Sequence, residues 1–272
     1  MTPRDSHQPQ EARPKGQAGG ALLFVDVLGT KNAWKAQGRE GVERICEWFG
    51  TTLAKVLDGY PKGSLSDGLI ESDSAGFVFV NPLDAIEVAR QLLLSAFHAP
   101  KDSNMPRRWI RGAILRADGR RRMRDEKPVG RIGNLRLAGY SNELMEALNI
   151  EKSGYRGMRV VIQESLLSKG IQDKSVVKLG ERSMNTQKKL TYSLYPPRIA
   201  EGYVDLLWMA CGNPEEWGRH SRQMANLLRW SGNDTEEMAH AAATQVVFNE
   251  CAAIMGSLLR REGKDVKEWA HI

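Results

Sequence analysis

The sequence predicts an α+β fold: a largely antiparallel sheet with helices packed on one side of it, and a helical appendage at the C-terminal end. Three observations carry that expectation. Leu22-Leu23-Phe24-Val25-Asp26-Val27-Leu28 is apolar on both faces, as a central strand buried on two sides would be. The periodicities that follow give the order strand, helix, hairpin, helix, strand, helix, strand. Beyond about Pro197 the strand signals stop and long helical stretches with their own start signals take over.

The first strand ends at Gly29. A helix is expected over roughly 41–57, where Val42, Ile45, Trp48, Phe49 and Leu53 recur at spacings of three and four. Two short runs, 64–71 and 76–80, flank Ser72-Asp73-Ser74-Ala75 and read as a hairpin with an acidic tip. Asn81 and Pro82 suit the N-cap and N1 positions of the next helix, whose apolar stripe is Ile86, Leu92, Leu93 and Phe97. Pro100 and the polar stretch to Pro106 end it. A third long strand covers 109–115 and a basic loop 116–131; then come a helix over 141–151, a strand over 158–162 and a short helix from Gln163.

Three segments are expected: a tail over 1–19, a main unit over 20–197 and a helical extension over 198–272. The tail is rich in Pro, Gln and Gly and has no apolar core of the kind a signal peptide carries. In the extension, Asn213-Pro214 and Asp234-Thr235-Glu236-Glu237 start helices that run to about Trp230 and Arg261. Trp208, Met209, Trp217, Leu227, Leu228 and Trp230 are expected as core or docking surface, not as a cofactor box. No internal repeat is present.

Composition excludes several classes. At 272 residues, 41% hydrophobic and 26% charged, the chain is ordinary globular material. No apolar run approaches the roughly 18–20 residues of a membrane span, so a cytoplasmic protein without membrane contact is expected. Cys46, Cys211 and Cys251 are too scattered for a disulfide framework or a zinc site. The five histidines show no ligand spacing and are expected in packing or surface roles. The formal charge of +6 is local: residues 107–131 hold ten basic and three acidic side chains, so the rest of the chain sums to −1. Nucleic-acid binding would need aromatic interleaving or a reader fold, and neither is present.

Two acidic residues stand in unusual places. Asp26 interrupts an apolar strand, where a carboxylate costs several kcal/mol unless compensated. Asp73 tips the hairpin. If the hairpin lies beside the first strand, both carboxylates meet at one edge of the sheet, where Mg²⁺ or Mn²⁺ could bridge them. Taken singly, Asp26 caps the loop after its strand and Asp73 is a turn residue.

Phe24-Val25-Asp26-Val27-Leu28-Gly29-Thr30, a helix, the hairpin Glu71-Ser72-Asp73-Ser74-Ala75-Gly76-Phe77, and a helix and strand with Arg111-Gly112-Ala113-Ile114 together resemble the catalytic domain of class III nucleotidyl cyclases. The similarity continues through Glu146-Ala147-Leu148-Asn149-Ile150-Glu151-Lys152-Ser153-Gly154 and Arg159-Val160-Val161-Ile162 and covers about residues 20–200. Within that family it looks closest to the bacterial pyrimidine cyclases of the Pycsar antiphage system. The resemblance implies two divalent cations, Mn²⁺ or Mg²⁺, on Asp26 and Asp73 with help from the Val27 carbonyl. It implies a nucleoside triphosphate whose β- and γ-phosphates lie on Leu28-Gly29-Thr30. It also implies a homodimer with composite sites, in which the helix 141–151 of one protomer meets the metal ligands of the other. The product would be a 3′,5′-cyclic nucleotide that switches on a separate effector.

Departures from the purine cyclases matter. Their dimer-facing Asn and Arg correspond here to Met145 and Asn149, so the transition-state charge is missing. Arg111, on the strand facing the site, is the candidate replacement, since a guanidinium holds two phosphate oxygens; otherwise it is a surface residue of an edge strand. The purine-selecting Lys or Glu corresponds to Leu69, which favours a pyrimidine, with UTP ahead of CTP. Tyr60 is a candidate for stacking on that base or for simple packing. Arg116, Arg120, Arg121, Arg122 and Arg124 either complement the triphosphate or form a solvated loop. A purine cyclase of the same fold and a non-catalytic dimerisation or ligand-sensing module are the alternatives.

Overall fold

The computed structural model describes residues 20–61, 63–99, 108–117, 141–152, 156–167, 202–210, 214–231 and 235–261. Six strands, β1 (Gly20–Leu28), β2 (Leu65–Glu71), β3 (Ser74–Phe79), β4 (Trp109–Ala117), β5 (Arg159–Gln163) and β6 (Tyr203–Asp205), form one sheet in the order β2-β3-β1-β4-β5-β6. β1 runs antiparallel to both β3 and β4, and only the β4–β5 pair is parallel. Among the described residues five α-helices accompany the sheet: α1 (Thr30–Leu57), α2 (Pro82–Phe97), α3 (Ser141–Lys152), α4 (Pro214–Trp230) and α5 (Thr235–Arg261). The fold is α+β and its sheet is antiparallel-rich, as the sequence predicts.

Helices cover both faces of the sheet, which corrects the expectation of one. Side chains alternate along β1. Leu23, Val25 and Val27 join the main core with Ile45, Phe49 and Leu53 of α1 and Val88, Leu92 and Leu93 of α2. Phe24 points the other way and packs with Ala113, Leu115 and Val161 under Ala147 and Ile150 of α3. Leu22, Val78 and Ala117 extend that second layer beneath Leu144. A strand apolar on both faces requires cover on both, and α3 supplies the second.

Helix α1 starts at Thr30, eleven residues before the predicted helix, and is interrupted at Gly38 (φ 62°, ψ −145°). Of the segment 30–37 only Ala33 is buried, so it carries no apolar stripe for a periodicity to reveal. Asn81 caps α2 as expected, its side chain accepting from the Leu83 amide at 3.2 Å. Strand β6 has no signal in the sequence, since three residues give no alternation. It is fixed by a buried ion pair, with Arg159 Nε donating to Asp205 Oδ1 at 3.0 Å.

The residues after 202 complete the main core. Trp208 donates its indole N–H to the Met158 carbonyl at 2.9 Å, and Trp217 stacks on Phe248 with centroids 4.6 Å apart. Trp208, Met209, Trp217 and Leu227 are buried, as expected of packing residues, whereas Leu228 is exposed. The described histidines also pack: His98 and His220 share a hydrogen bond at 2.9 Å, and His240 accepts from the Gly157 amide at 3.0 Å while stacking on Trp109. Among the described residues no helix is long and apolar enough to cross a membrane.

Candidate functional site

The site grows from the end of the central strand. Cross-strand register places Asp26 opposite Ser74 of β3 on one side and Arg111 of β4 on the other. Its side chain shares the face of Phe24, so it lies on the α3 side of the sheet. β2 and β3 join through Ser72 and Asp73, and the left-handed backbone of Ser72 (φ 58°) gives the tight reversal a two-residue hairpin needs. The Val27 amide donates to the Asp73 carbonyl at 2.8 Å, tying the turn to the end of β1. In an antiparallel pair a residue's N–H and C=O point the same way, so the Val27 carbonyl also faces the hairpin. Strand register and this backbone bond set Asp26, Val27 and Asp73 beside one another at the end of β1, which lies inside the sheet and not at its edge.

Burial pushes the Asp26 carboxyl up to about 6; the Arg111 cation opposes this and the Asp73 carboxylate adds to it. Two carboxylates and a backbone carbonyl are hard oxygen donors of the kind Mg²⁺ and Mn²⁺ take, with the remaining positions left to water or phosphate. A bound cation would offset the burial and the Asp73 repulsion that raise Asp26. The donors are of the kind a divalent cation takes, although no group of three or more His, Cys, Asp or Glu side chains suited to an ion occurs among the described residues.

Arg111 stands directly across from Asp26. Its Nη2 lies 3.5 Å from Asp26 Oδ2 and bonds Glu151 Oε1, near the end of α3. All three side chains are mostly buried, and Arg111 Nε has no hydrogen-bond partner among the described residues. Arg111 is therefore not a surface residue. Gly112 beside it admits no side chain, because a Cβ there would meet the Phe24 carbonyl at 2.1 Å. Glu151 is the site residue that the sequence does not single out: a glutamate near the end of a charged helix is ordinary, and only its contact with Arg111 distinguishes it.

Leu28, Gly29 and Thr30 lead from β1 into α1. Gly29 (φ 106°) takes the N-cap position without a side-chain cap, and the first turn holds no acidic residue. Backbone N–H groups at a helix start favour an anion, and neither a side-chain cap nor an acidic residue of the first turn occupies that role here. Tyr60 is not brought to this place. It packs against the main core beyond α1, and burial pushes its hydroxyl up to about 12, with Glu87 and Asp84 of α2 adding to the rise. It adjoins the start of α2, which follows the end of β3 paired with Ala21, whereas Asp26 lies at the other end of β1.

Met145 and Asn149 are exposed on α3, and Leu69 is exposed on β2 opposite Gly76. Arg120, Arg121, Arg122 and Arg124 lie outside the described residues. Arg116 is exposed, and its backbone amide donates to Gln163 Oε1 at 2.8 Å.

No family model matches the sequence, and no curated protein does. Two solved structures of adenylate cyclases from Trypanosoma brucei in their monomeric state align with the chain at 12% identity and a TM-score of 0.40. The first covers 58% of this chain and 78% of its own, the second 61% and 80%.

Proposed function

We propose that the chain is a nucleotide cyclase that closes a pyrimidine nucleoside triphosphate, UTP ahead of CTP, to its 3′,5′-cyclic nucleotide. The single observation that carries this reading is the Asp26–Asp73 pair at the end of β1, immediately before the β1–α1 turn and beside Arg111. In the reaction the 3′-oxygen bonds to the α-phosphorus, the bond from that phosphorus to the pyrophosphate oxygen breaks, and the proton of the 3′-hydroxyl passes to solvent water. Bound cations supply a lowered hydroxyl pKa and charge neutralisation on the triphosphate. Asp26 and Asp73 hold them, with the Val27 carbonyl. The Gly29–Thr30 end of the turn donates backbone N–H groups to the β- and γ-phosphates. Arg111 donates to non-bridging oxygens of the α-phosphate, the role left open by Asn149.

The exposed hydrocarbon of Leu69 supports a pyrimidine, since it offers a purine edge no charge to pair with. Exposed Met145 on α3 is compatible with a homodimer in which that helix completes the partner's site. By the same resemblance the enzyme acts in the cytoplasm, in antiphage defence, through an effector that senses the cyclic nucleotide. One observation favours a non-catalytic ligand-sensing module instead: Asn149 carries no charge, and Arg111 is already held by Glu151. Incubation with each of four nucleoside triphosphates and Mn²⁺, with products identified by mass, separates these readings and the purine alternative. Cyclic UMP or CMP is expected, and Asp73→Asn is expected to lower its formation roughly a hundredfold or more. Full activity in that variant would refute the metal assignment.

A further inference from the structure

Arg111 is one cation between two carboxylates, and Glu151 lies on a different element from the other two members. Asp26 and Arg111 are direct cross-strand neighbours, a separation from which a guanidinium can embrace a carboxylate through two parallel bonds. The structure does not show that embrace. Nη2 donates to both carboxylates, closely to Glu151 and only at the 3.5 Å limit to Asp26, and Nε is left buried without an acceptor among the described residues. A guanidinium seeking its own saturation would turn to Asp26; the α3 carboxylate turns it away.

We propose that Glu151 is a positioning residue that holds the Arg111 guanidinium off Asp26, so that the Asp26 oxygens stay available to a divalent cation while Arg111 remains beside the site. The inference rests on the reading of Asp26 and Asp73 as cation ligands. It also explains why an acidic residue occupies the last turn of α3, where the helix dipole disfavours one. With Glu151 neutralised, Arg111 swings onto Asp26 and competes with the cation for the same lone pairs.

Mn²⁺ binding to the full chain, followed by the free-ion signal in electron paramagnetic resonance, tests this without turnover. Glu151→Gln is expected to weaken Mn²⁺ binding about tenfold, and adding Arg111→Gln to it is expected to restore binding to near that of the unaltered chain. Arg111→Gln alone and the double variant are expected to bind equally, because Glu151 acts only through Arg111. That comparison does not depend on the folding of Glu151→Gln, because neither of its two variants keeps a guanidinium that could turn onto Asp26. Unaltered binding in folded Glu151→Gln, or a tenfold difference between Arg111→Gln and the double variant, would overturn the proposal. Absence of Mn²⁺ binding by the unaltered chain, with no difference from Asp73→Asn, would instead overturn the cation reading beneath it.

Discussion

Asp26 is a carboxyl group that the fold makes less acidic. Its folded value of about 6 exceeds the ordinary 3.8 because burial outweighs the Arg111 cation and Asp73 adds repulsion. Between those two values the folded chain binds more protons than the unfolded one, so this group's contribution to stability falls as pH rises through the window. Above pH 6 the ionised Asp26 costs on the order of 3 kcal/mol in the metal-free protein. Asp26→Asn is therefore expected to raise the melting temperature at pH 8 by roughly 5 °C, with the gain shrinking toward zero as pH falls to 4. A lower melting temperature for the variant at pH 8 would mean that Arg111 dominates. Asp26 was legible in the sequence because a charge within an apolar strand is conspicuous. Glu151 was not, because one more glutamate on a polar helix face looks ordinary until the helix is seen to descend on Arg111.

Elements meet through contacts that the sequence does not announce. The C-terminal end of α2 docks on α4 through the His98–His220 hydrogen bond, within an aromatic group that includes Phe97, Trp208 and Trp217. Glu216 of α4 lies 3.6 Å from His220 Nε2 and is paired with Arg90 of α2; Arg219 of α4 adds positive potential. Burial holds His220 down at about 4, with the neighbouring His98, Arg90 and Arg219 adding to the shift. Burial and Arg219 also lower His98, against the opposing charge of Glu216. From pH 6.5 down to 4 the unfolded chain takes up a proton that folded His220 refuses, so stability is lost as pH falls through that window. His220→Phe should flatten this acid-side loss by about 2 kcal/mol in denaturant titrations at pH 7 and pH 5. An unchanged pH dependence in the variant would show that the pair does not carry it. The helix starts at Asn81 and Pro82 were readable because capping is local chemistry, whereas the partner of His98 lies more than a hundred residues away.

At the scale of the whole molecule, the division at residue 197 separates a proposed catalytic part from an extension, yet the two share one hydrophobic core. Val204, Trp208, Met209, Trp217, Met224 and Leu227 belong to the same cluster as Leu23, Val25 and Phe49. A chain ending at residue 197 also loses Asp205, a buried ion-pair partner of Arg159. Such a fragment is expected to lose its cooperative melting transition, as followed by calorimetry; a sharp transition near that of the full chain would show that the catalytic part folds alone.

The sequence by itself determined the central strand, the acidic hairpin, the capped helix α2 and the concentration of charge in one segment. Each of these is written in neighbouring residues through periodicity, turn chemistry or composition. Only the tertiary structure decided that α3 covers the second face, that β6 closes the sheet edge, that Tyr60 lies at the far end, and that Glu151 reaches Arg111. Those outcomes depend on which face a long connection carries a helix to, and no short-range pattern encodes that choice. Asp26 and Asp73 lie between the two cases: their residue types were visible at once, but their meeting required the register that sets Val27 against the hairpin turn.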